Sequence, residues 1–339
     1  MTVLITGAAG FIGFHLASLL LDQGRQVIGV DSHNDYYDPA LKAAREAKLI
    51  TRPGYVPVRG KVEDPGLMAG LFATHRPRIV VHLAAQAGVR YSIQNPRAYM
   101  EANMMGSFEL LEAARAHPPQ HLLMASSSSV YGANTQMPYR ETDKVDLQLS
   151  VYASTKKSNE AIAHSYSHLF GLPISMFRFF TVYGPWGRPD MAPYLFTSAL
   201  FEGRPIKVFN HGNMRRDFTF VGDLVRALRL LMDVAPQRPA DGTVPDGDSL
   251  SPVAPWRVVN IGNGNPVELM DFIRALESAS GHEAVLNMMP MQPGDVPATW
   301  ADTALLRRLT AYAPQTSVTD GTRAYVEWFR GYYSAGSGV

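Results

Sequence analysis

The sequence predicts an α/β protein built on a doubly wound parallel sheet, with a smaller α/β unit towards the C-terminus. Three observations carry this. Apolar, β-rich runs alternate with stretches of helical periodicity through the first half of the chain, the pattern of parallel strands joined by crossover helices. The strand runs, 79–81 among them, are nearly uninterrupted apolar sequence, as expected where both faces of a sheet are covered. After about residue 180 the segments shorten and become richer in Pro and Gly, which marks a change of architecture. A chain of 339 residues is long enough for two such units, each with its own core.

Taken in order, residues 2–6 form a first strand. Residues 11–23 carry apolar side chains at helical spacing and stop at Gly24, so a helix follows directly. Residues 26–30 give a second strand, ending at Asp31. Further strands are expected at 54–58, 78–83, 121–125 and 174–179, with helices at about 64–75, 96–116 and 150–171. A strand at 257–261 and a helix at about 266–280 appear later. The Pro-, Gly- and Asp-rich stretch 235–256 reads as an exposed loop, and 334–339 as a disordered tail. The first unit is placed at 1–180, with the chain returning to it around 218–262. The second takes 181–217 and 263–333.

Composition excludes several classes of function. Hydrophobic residues make up 46% and charged residues 18%, and the formal net charge is +1 without any basic run, so a nucleic-acid partner is not expected. There is no cysteine, which rules out disulfides, thiolate metal sites and a cysteine nucleophile and fits a reducing, cytoplasmic setting. Of the ten histidines, the pairs His117/His121 and His164/His168 have His-x-x-x-His spacing, but neither carries the His-Glu-x-x-His pattern of a zinc site, so no metal site is expected. The apolar N-terminus lacks a basic leader and is interrupted by glycines, unlike a signal peptide. No window approaches the ~18 apolar residues that would cross a membrane.

Gly7, Gly10 and Gly13 follow the first strand and open the first helix. In that setting Gly7 permits a tight turn, Gly10 lets backbone approach a pyrophosphate, and Gly13 lets helix and strand pack closely. The helix N-terminus then faces the phosphates. The spacing is G-x-x-G-x-x-G, and Asp31 ends the next strand, where a carboxylate accepts from both ribose hydroxyls and repels a 2′-phosphate. These residues point to a Rossmann-type unit holding NAD rather than NADP.

Tyr152 and Lys156 lie four apart at the start of a predicted helix that Ser150 would cap, so they share one face. A phenol of ordinary pKa is a poor base at neutral pH, and lowering it by ~3 units takes ~4 kcal/mol. An ammonium ~4 Å away at an effective dielectric of about 20 supplies about that. One strand-helix unit earlier, Ser126-Ser127-Ser128-Ser129 follows the apolar strand 121–125, at the carboxyl end of a sheet strand, where such folds bind ligands. A serine there can donate to a substrate oxygen while Tyr152 removes its proton. Ser126 and Ser129 are read instead as satisfying their own loop backbone.

Together these residues resemble the extended short-chain dehydrogenase/reductase family, over nearly the whole chain to about residue 330. The late Arg216-Asp217 and the run 293–302 (PGDVPATWAD) are similar to NAD-dependent nucleotide-sugar epimerases. The runs 33–38 (HNDYYD), 88–92 (GVRYS) and 181–191 (TVYGPWGRPDM) resemble UDP-glucuronate 4-epimerases in particular. The resemblance implies a UDP-sugar substrate and a C-terminal unit that binds it. Tyr152 would take the proton of the 4-hydroxyl while hydride passes to tightly held NAD. The 4-keto sugar would turn over, and hydride would return to the other face. Ser127 matches the family's active-site hydroxyl, and Lys156 reaches the nicotinamide ribose.

The same resemblance extends the NAD site to Phe11, Ile12, Asn34, Val62, Leu83, Ala84, Ala85 and Asn103. Lys61 stands where relatives usually carry an adenine-contacting Asp. On the substrate side it implies Arg90, Ser127, Ser128, Thr181, Arg188, Phe209, Arg216 and Asp295. Arg216 would hold the diphosphate and Phe209 would stack on uracil, although both positions also suit ordinary strand or loop residues. Gln292 replaces the Arg usual in glucose-type epimerases. Relatives that dehydrate or decarboxylate carry acidic residues at the positions of Ser128 and Ser129. A 4-keto uronate is a β-keto acid, so an epimerase must hold its carboxylate out of line with the carbonyl, and Arg188 and Thr181 are the candidates. A UDP-glucuronate decarboxylase, a neutral-sugar 4-epimerase and an NAD-sensing regulatory relative remain alternatives. The family also pairs long helices into a dimer, for which 96–116 offers Met100, Met104, Phe108 and Leu111, and 150–171 offers Ile162, Tyr166 and Leu169.

Overall fold

The computed structural model describes residues 1–292 and 296–333. The chain runs β1 (Thr2–Thr6), α1 (Phe11–Asp22), β2 (Gln26–Asp31), α2 (Pro39–Ile50), β3 (Tyr55–Arg59), α3 (Leu67–His75) and β4 (Ile79–His82). Two short helices, α4 (Tyr91–Gln94) and α5 (Pro96–Tyr99), lead through a π-helical turn (Met100–Met105) into α6 (Gly106–Ala116). Then come β5 (His121–Ala125), a 3₁₀ turn (Ser128–Tyr131), α7 (Val151–Phe170), β6 (Ile174–Phe179) and β7 (Thr181–Tyr183). The remainder is α8 (Ala192–Glu202), β8 (Ile206–Val208), β9 (Arg215–Arg216), β10 (Phe218–Phe220), α9 (Val221–Leu231), β11 (Trp256–Ile261), β12 (Val267–Glu268), α10 (Leu269–Ser280), β13 (Leu286–Met288), β14 (Ala298–Thr299), α11 (Ala304–Thr310) and α12 (Val318–Tyr333).

Seven strands form one parallel sheet in the order β11-β6-β5-β4-β1-β2-β3. The apolar strands are buried on both sides, as their sequence demanded. Val3 and Ile5 face a core shared with Leu16, Leu20, Leu224 and Leu228, while Leu4 faces one shared with Phe72, Leu110, Leu111 and Met176. This is the doubly wound Rossmann arrangement. The direction of progress along the sheet reverses between β1 and β4, which opens a crevice at their carboxyl ends. A second core gathers α8, α10 and α12 around Tyr183, Phe218, Phe272 and Phe329, with the short strands β8 and β13 beside it.

Several elements differ from the sequence expectation. Helix α2 was not foreseen. Its buried side chains are Leu41, Lys42, Arg45, Glu46 and Leu49, so charged residues occupy the inner face and no apolar period shows. The expected helix at 96–116 is helical throughout but changes winding at Met100–Met105. The loop 235–256 is exposed only in part: Asp248 pairs with Arg257 at 2.9 Å, Ser251 bonds His164 at 2.8 Å, and Ala254 is buried. Helix α11 packs Leu305 and Leu306 into the core of the large sheet rather than into the second core. Asp295 and the tail 334–339 lie outside the described residues. Among the described residues no helix is long and apolar enough to cross a membrane.

The junction of β1, α1 and β4 is the tightest in the fold. A Cβ at Gly13 would lie 2.1 Å from the Gly7 carbonyl oxygen, and one at Gly7 would lie 2.9 Å from the Ala84 nitrogen. Those neighbours are backbone and cannot rotate away. Gly13→Ala is therefore expected to destabilise the protein by about 2–3 kcal/mol, the cost of overpacking a closed site, and to reduce retained dinucleotide. Thermal denaturation alongside a nucleotide assay checks this; an unchanged melting temperature and unchanged nucleotide content would contradict it.

Candidate active site

The glycine loop is a cradle closed by backbone. Gly7 sits at φ +73°, in the left-handed region that glycine enters without strain. The Gly7 and Ala8 N–H groups donate to the Val30 carbonyl at 2.7 and 3.1 Å, and Gly10 N–H donates to Gly7 at 2.9 Å. Gly10 is the N-cap of α1 and has no side chain to satisfy the first turn. The N–H groups around Phe11 and Ile12 therefore remain available to an anion. Thr6 Oγ1 accepts from Ala84 N–H at 3.1 Å, and Thr6 O from Leu83 N–H at 3.1 Å, which holds Leu83, Ala84 and Ala85 at the crevice.

Asp31 ends β2 in a buried position. Its Oδ2 accepts from Ala9 N–H at 3.1 Å, and its Oδ1 from His33 N–H at 2.9 Å and Lys42 Nζ at 3.4 Å. Lys42 also donates to Asn34 Oδ1 at 2.9 Å. With two donors on Oδ1 and one on Oδ2, Oδ2 keeps lone-pair capacity for a ribose hydroxyl. Val62 packs against Gly106, where a Cβ would meet it at 2.5 Å. Asn103, carried by the π turn, locks the next wall: its Oδ1 accepts from Gln86 N–H at 2.8 Å, and its Nδ2 donates to Gln86 O at 3.1 Å and Thr155 Oγ1 at 3.0 Å. The donor set and the missing Cβ atoms fit a dinucleotide of the NAD type.

Ser127, Tyr152 and Lys156 meet beyond the end of β5. Ser150 caps α7, its Oγ accepting from Ala153 N–H at 3.1 Å. Lys156 is 3% exposed, has no carboxylate partner among the described residues, and donates to the Ala125 carbonyl at 2.9 Å. Burial pulls its pKa down to about 8. One turn earlier, Tyr152 lies edge-on to Tyr99 with ring centroids 6.0 Å apart. Burial raises the phenol pKa, while a hydrogen bond with Ser127 and the charge of Arg188 pull the other way. Ser127 Oγ also accepts from Ser129 N–H at 3.1 Å, capping the turn that carries Ser128. Ser126 does not serve its own backbone as expected. Its hydroxyl donates to Glu160 at 2.6 Å, and Arg178 grips Glu160 with two bonds of 2.9 Å.

Arg188 is joined to this group by packing: its guanidinium lies 5.9 Å from the centre of the Tyr36 ring, and the rings of Tyr36, Tyr91, Tyr99 and Tyr152 follow one another in contact. It makes two hydrogen bonds to Asp190, of 3.0 and 2.5 Å. Thr181 begins β7 and lies half-buried beside Phe218. Arg90 and Phe209, far apart in sequence, come together, the guanidinium lying 5.4 Å from the centre of the ring. Arg216 turns its guanidinium onto the carbonyls of Val296 and Pro297 at 2.8 and 3.1 Å. The sequence reading missed Tyr36, Asp190, Gln86 and Arg45. The first two lie within the runs 33–38 and 181–191 that carried the resemblance, and that was the only signal for them.

Residues 3–243 match the profile described as the NAD dependent epimerase/dehydratase family. A protein of Rhizobium meliloti named "Probable UDP-glucuronate 4-epimerase" is 49% identical over 331 residues, covering 97% of both chains. UDP-glucuronate 4-epimerase 4 of Arabidopsis thaliana is 45% identical over 98% of this chain and 76% of its own. The crystal structure of UDP-glucuronic acid 4-epimerase from Bacillus cereus, in complex with UDP-glucuronic acid and NAD, superposes with a TM-score of 0.87 at 31% identity, covering 98% of this chain and 100% of that one. The profile covers more than half of the chain and these relatives match it nearly from end to end, so the chain belongs to the NAD dependent epimerase/dehydratase family.

Proposed function

We propose that this chain interconverts UDP-glucuronate and UDP-galacturonate by inverting C4 of the sugar, with NAD held in the crevice throughout. The observation that carries this reading is the placement of a guanidinium, Arg188, on the row of rings Tyr36, Tyr91 and Tyr99 that ends at Tyr152. A uronate needs an anion receptor beside C4, and a neutral hexose does not. When bound, NAD supplies the acceptor that takes hydride from C4 and returns it, together with a positive ring near the phenol. Tyr152 takes the 4-hydroxyl proton and later gives it back, with Ser127 sharing the hydrogen bond. Lys156, anchored on Ala125, keeps its ammonium beneath that group and reaches the ribose. Arg188, with Thr181 and Ser128, holds the C5 carboxylate out of line with the C4 carbonyl so that carbon dioxide is not lost. Neither Ser128 nor Ser129 offers the acid–base group that a second reaction would need.

In this reading Gly7, Gly10, Phe11, Ile12, Gly13, Asp31, Asn34, Val62, Leu83, Ala84, Ala85, Asn103, Tyr152 and Lys156 hold NAD. The unit around the large sheet, residues 1–180 with 218–262, carries it. Residues 181–217 and 263–333 receive the UDP moiety, apart from α11, which packs against the large sheet. Phe209 takes the uracil with Arg90 beside it and Arg216 the diphosphate; Asp295, outside the described residues, is assigned to the same substrate-binding unit. The cysteine-free composition suits work in a reducing cytoplasm.

We also assign the chain to a homodimer formed through α6 and α7. Tyr166 bonds Glu112 at 2.7 Å, and Arg115 lies over Phe170 at 4.4 Å, so the two helices lie side by side. Leu111 turns inward and is fully buried, but Met100, Met105, Phe108 and Leu169 remain 51%, 50%, 41% and 68% exposed. A cluster of large apolar side chains on adjacent helices suits a partner surface.

Four outcomes follow. Incubation with UDP-glucuronate should yield UDP-galacturonate and no UDP-pentose on chromatography. Tyr152→Phe should lower that rate by about 10²–10⁴-fold, the usual range for loss of a general base, with UDP-glucuronate binding retained; a residual rate above a tenth would point to another base. Acid-denatured protein should release NAD, and recovery mainly of NADP would contradict the role of Asp31. Light scattering at micromolar concentration should give the mass of a dimer, and Phe108→Glu should shift it to a monomer; a monomeric mass before mutation would refute the interface.

A further inference from the structure

Arg188 sits in a seat built from two distant parts of the chain. Its Nε and Nη2 donate to Asp190 Oδ1 and Oδ2 at 3.0 and 2.5 Å. Tyr36, 154 positions earlier, donates its hydroxyl to the same Oδ2 at 3.0 Å. The Tyr36 ring also lies beside the guanidinium, 5.9 Å from Cζ to the ring centre. Tyr36 is in turn packed on Tyr91, Tyr91 on Tyr99, and Tyr99 on Tyr152, with centroids 4.9, 6.2 and 6.0 Å apart. The seat and the base are thus linked by contiguous aromatic packing.

The loop that carries Arg188 and Asp190 is pinned as well. The Trp186 carbonyl accepts from Arg45 at 2.6 Å, and the Pro185 carbonyl bonds His15 Nε2 at 2.8 Å. Arg45 is fully buried and also donates to Ala9 of the glycine loop at 3.0 Å.

An arginine has two edges that can grip a carboxylate, one through Nε and Nη2 and one through Nη1 and Nη2. Asp190 occupies the first, leaving the Nη1 edge for another carboxylate. We propose that Asp190 and Tyr36 are positioning residues that fix the orientation of Arg188, so that its Nη1 edge is presented to the uronate carboxylate; this rests on the role given to Arg188 above. Asp190 is a permanent part of the seat and not an occupant that substrate displaces, because Tyr36 also anchors its Oδ2. Preference for a uronate over a neutral hexose then depends on residues that do not touch the sugar.

Two charge-conserving variants test this without altering the net field on the substrate. Tyr36→Phe keeps the ring and removes the anchor; Asp190→Glu keeps the charge and pushes the guanidinium outward by one methylene. Each is placed in the NAD-loaded Tyr152→Phe background, so that ligand is not turned over, and titrated calorimetrically with UDP-glucuronate, UDP-glucose and UDP. The preference for UDP-glucuronate over UDP-glucose should fall about tenfold in both variants, as for loss of one well-aligned charged contact, while UDP affinity stays unchanged. In the Tyr152-containing enzyme the same variants should release UDP-4-keto-pentose and leave reduced NAD. A preference unchanged within twofold in both variants, or raised, would overturn the proposal, the second result meaning that Asp190 competes with substrate. If the unmutated enzyme made no UDP-galacturonate, the reaction assigned above would fail while the binding comparison still decided the seat.

Discussion

The geometry depends on the absence of side chains where β1, α1 and β4 converge. The Gly13 position lies so near the Gly7 carbonyl that a Cβ would overlap it, and Gly7 is pressed against the backbone of Ala84. Only because those places are empty can α1 begin immediately above the sheet and aim its free N–H groups into the crevice between β1 and β4. Asp31, fastened to Ala9 by a 3.1 Å bond, takes its place from the same turn. The site of an anion and the site of a ribose are therefore set by one close backbone approach.

The reacting group depends on a second constraint, a buried ammonium. The Lys156 ammonium lies at the end of β5 with, among the described residues, a single backbone carbonyl as its hydrogen-bond partner. This is an unfavourable place for a charge, and the lowered pKa records it. The cost is sustained by the packing of α7, whose buried Asn159 and Glu160 bond to Asn103 O at 3.0 Å and to Ser126 at 2.6 Å. The helix is thereby fixed in rotation, and Tyr152, one turn before Lys156, faces Ser127. Burial works against ionisation of Tyr152 as it does for Lys156. The ammonium is costly to keep charged and the phenol hard to ionise, and the groups that favour the phenolate here are Ser127 and Arg188 rather than the expected Lys156.

Around this centre the protein uses arginines as fasteners between distant segments. Arg45 ties the glycine loop to the loop at 184–190, Arg178 ties β6 to α7 through Glu160, and Arg188 ties that loop to Tyr36 through Asp190. The planar, permanently charged guanidinium suits this work because its donors point in fixed directions. A low content of charged residues did not mean that charge was unimportant. Much of it has been moved inside.

Sequence alone determined whatever is set by local spacing. The apolar strands, the glycine turn, the acid ending β2 and the Tyr152–Lys156 pair are all decided within a few residues by sterics and periodicity, and all were legible. Helix α2 was not, because Lys42, Arg45 and Glu46 face inward and hide its period. The packed half of the 235–256 loop was not, because Asp248 is buried where Arg257 and, from far along the chain, Arg308 pair with it. Leu111 and Phe108 look alike in a helical stripe, yet only the placement of α6 against the sheet sends one into the core and leaves the other in water. The seat of Arg188 was hidden for the same reason. Asp190 lies two positions beyond Arg188 and its other partner, Tyr36, lies 154 positions before Asp190, and a contact between residues that distant is made only when the chain has folded.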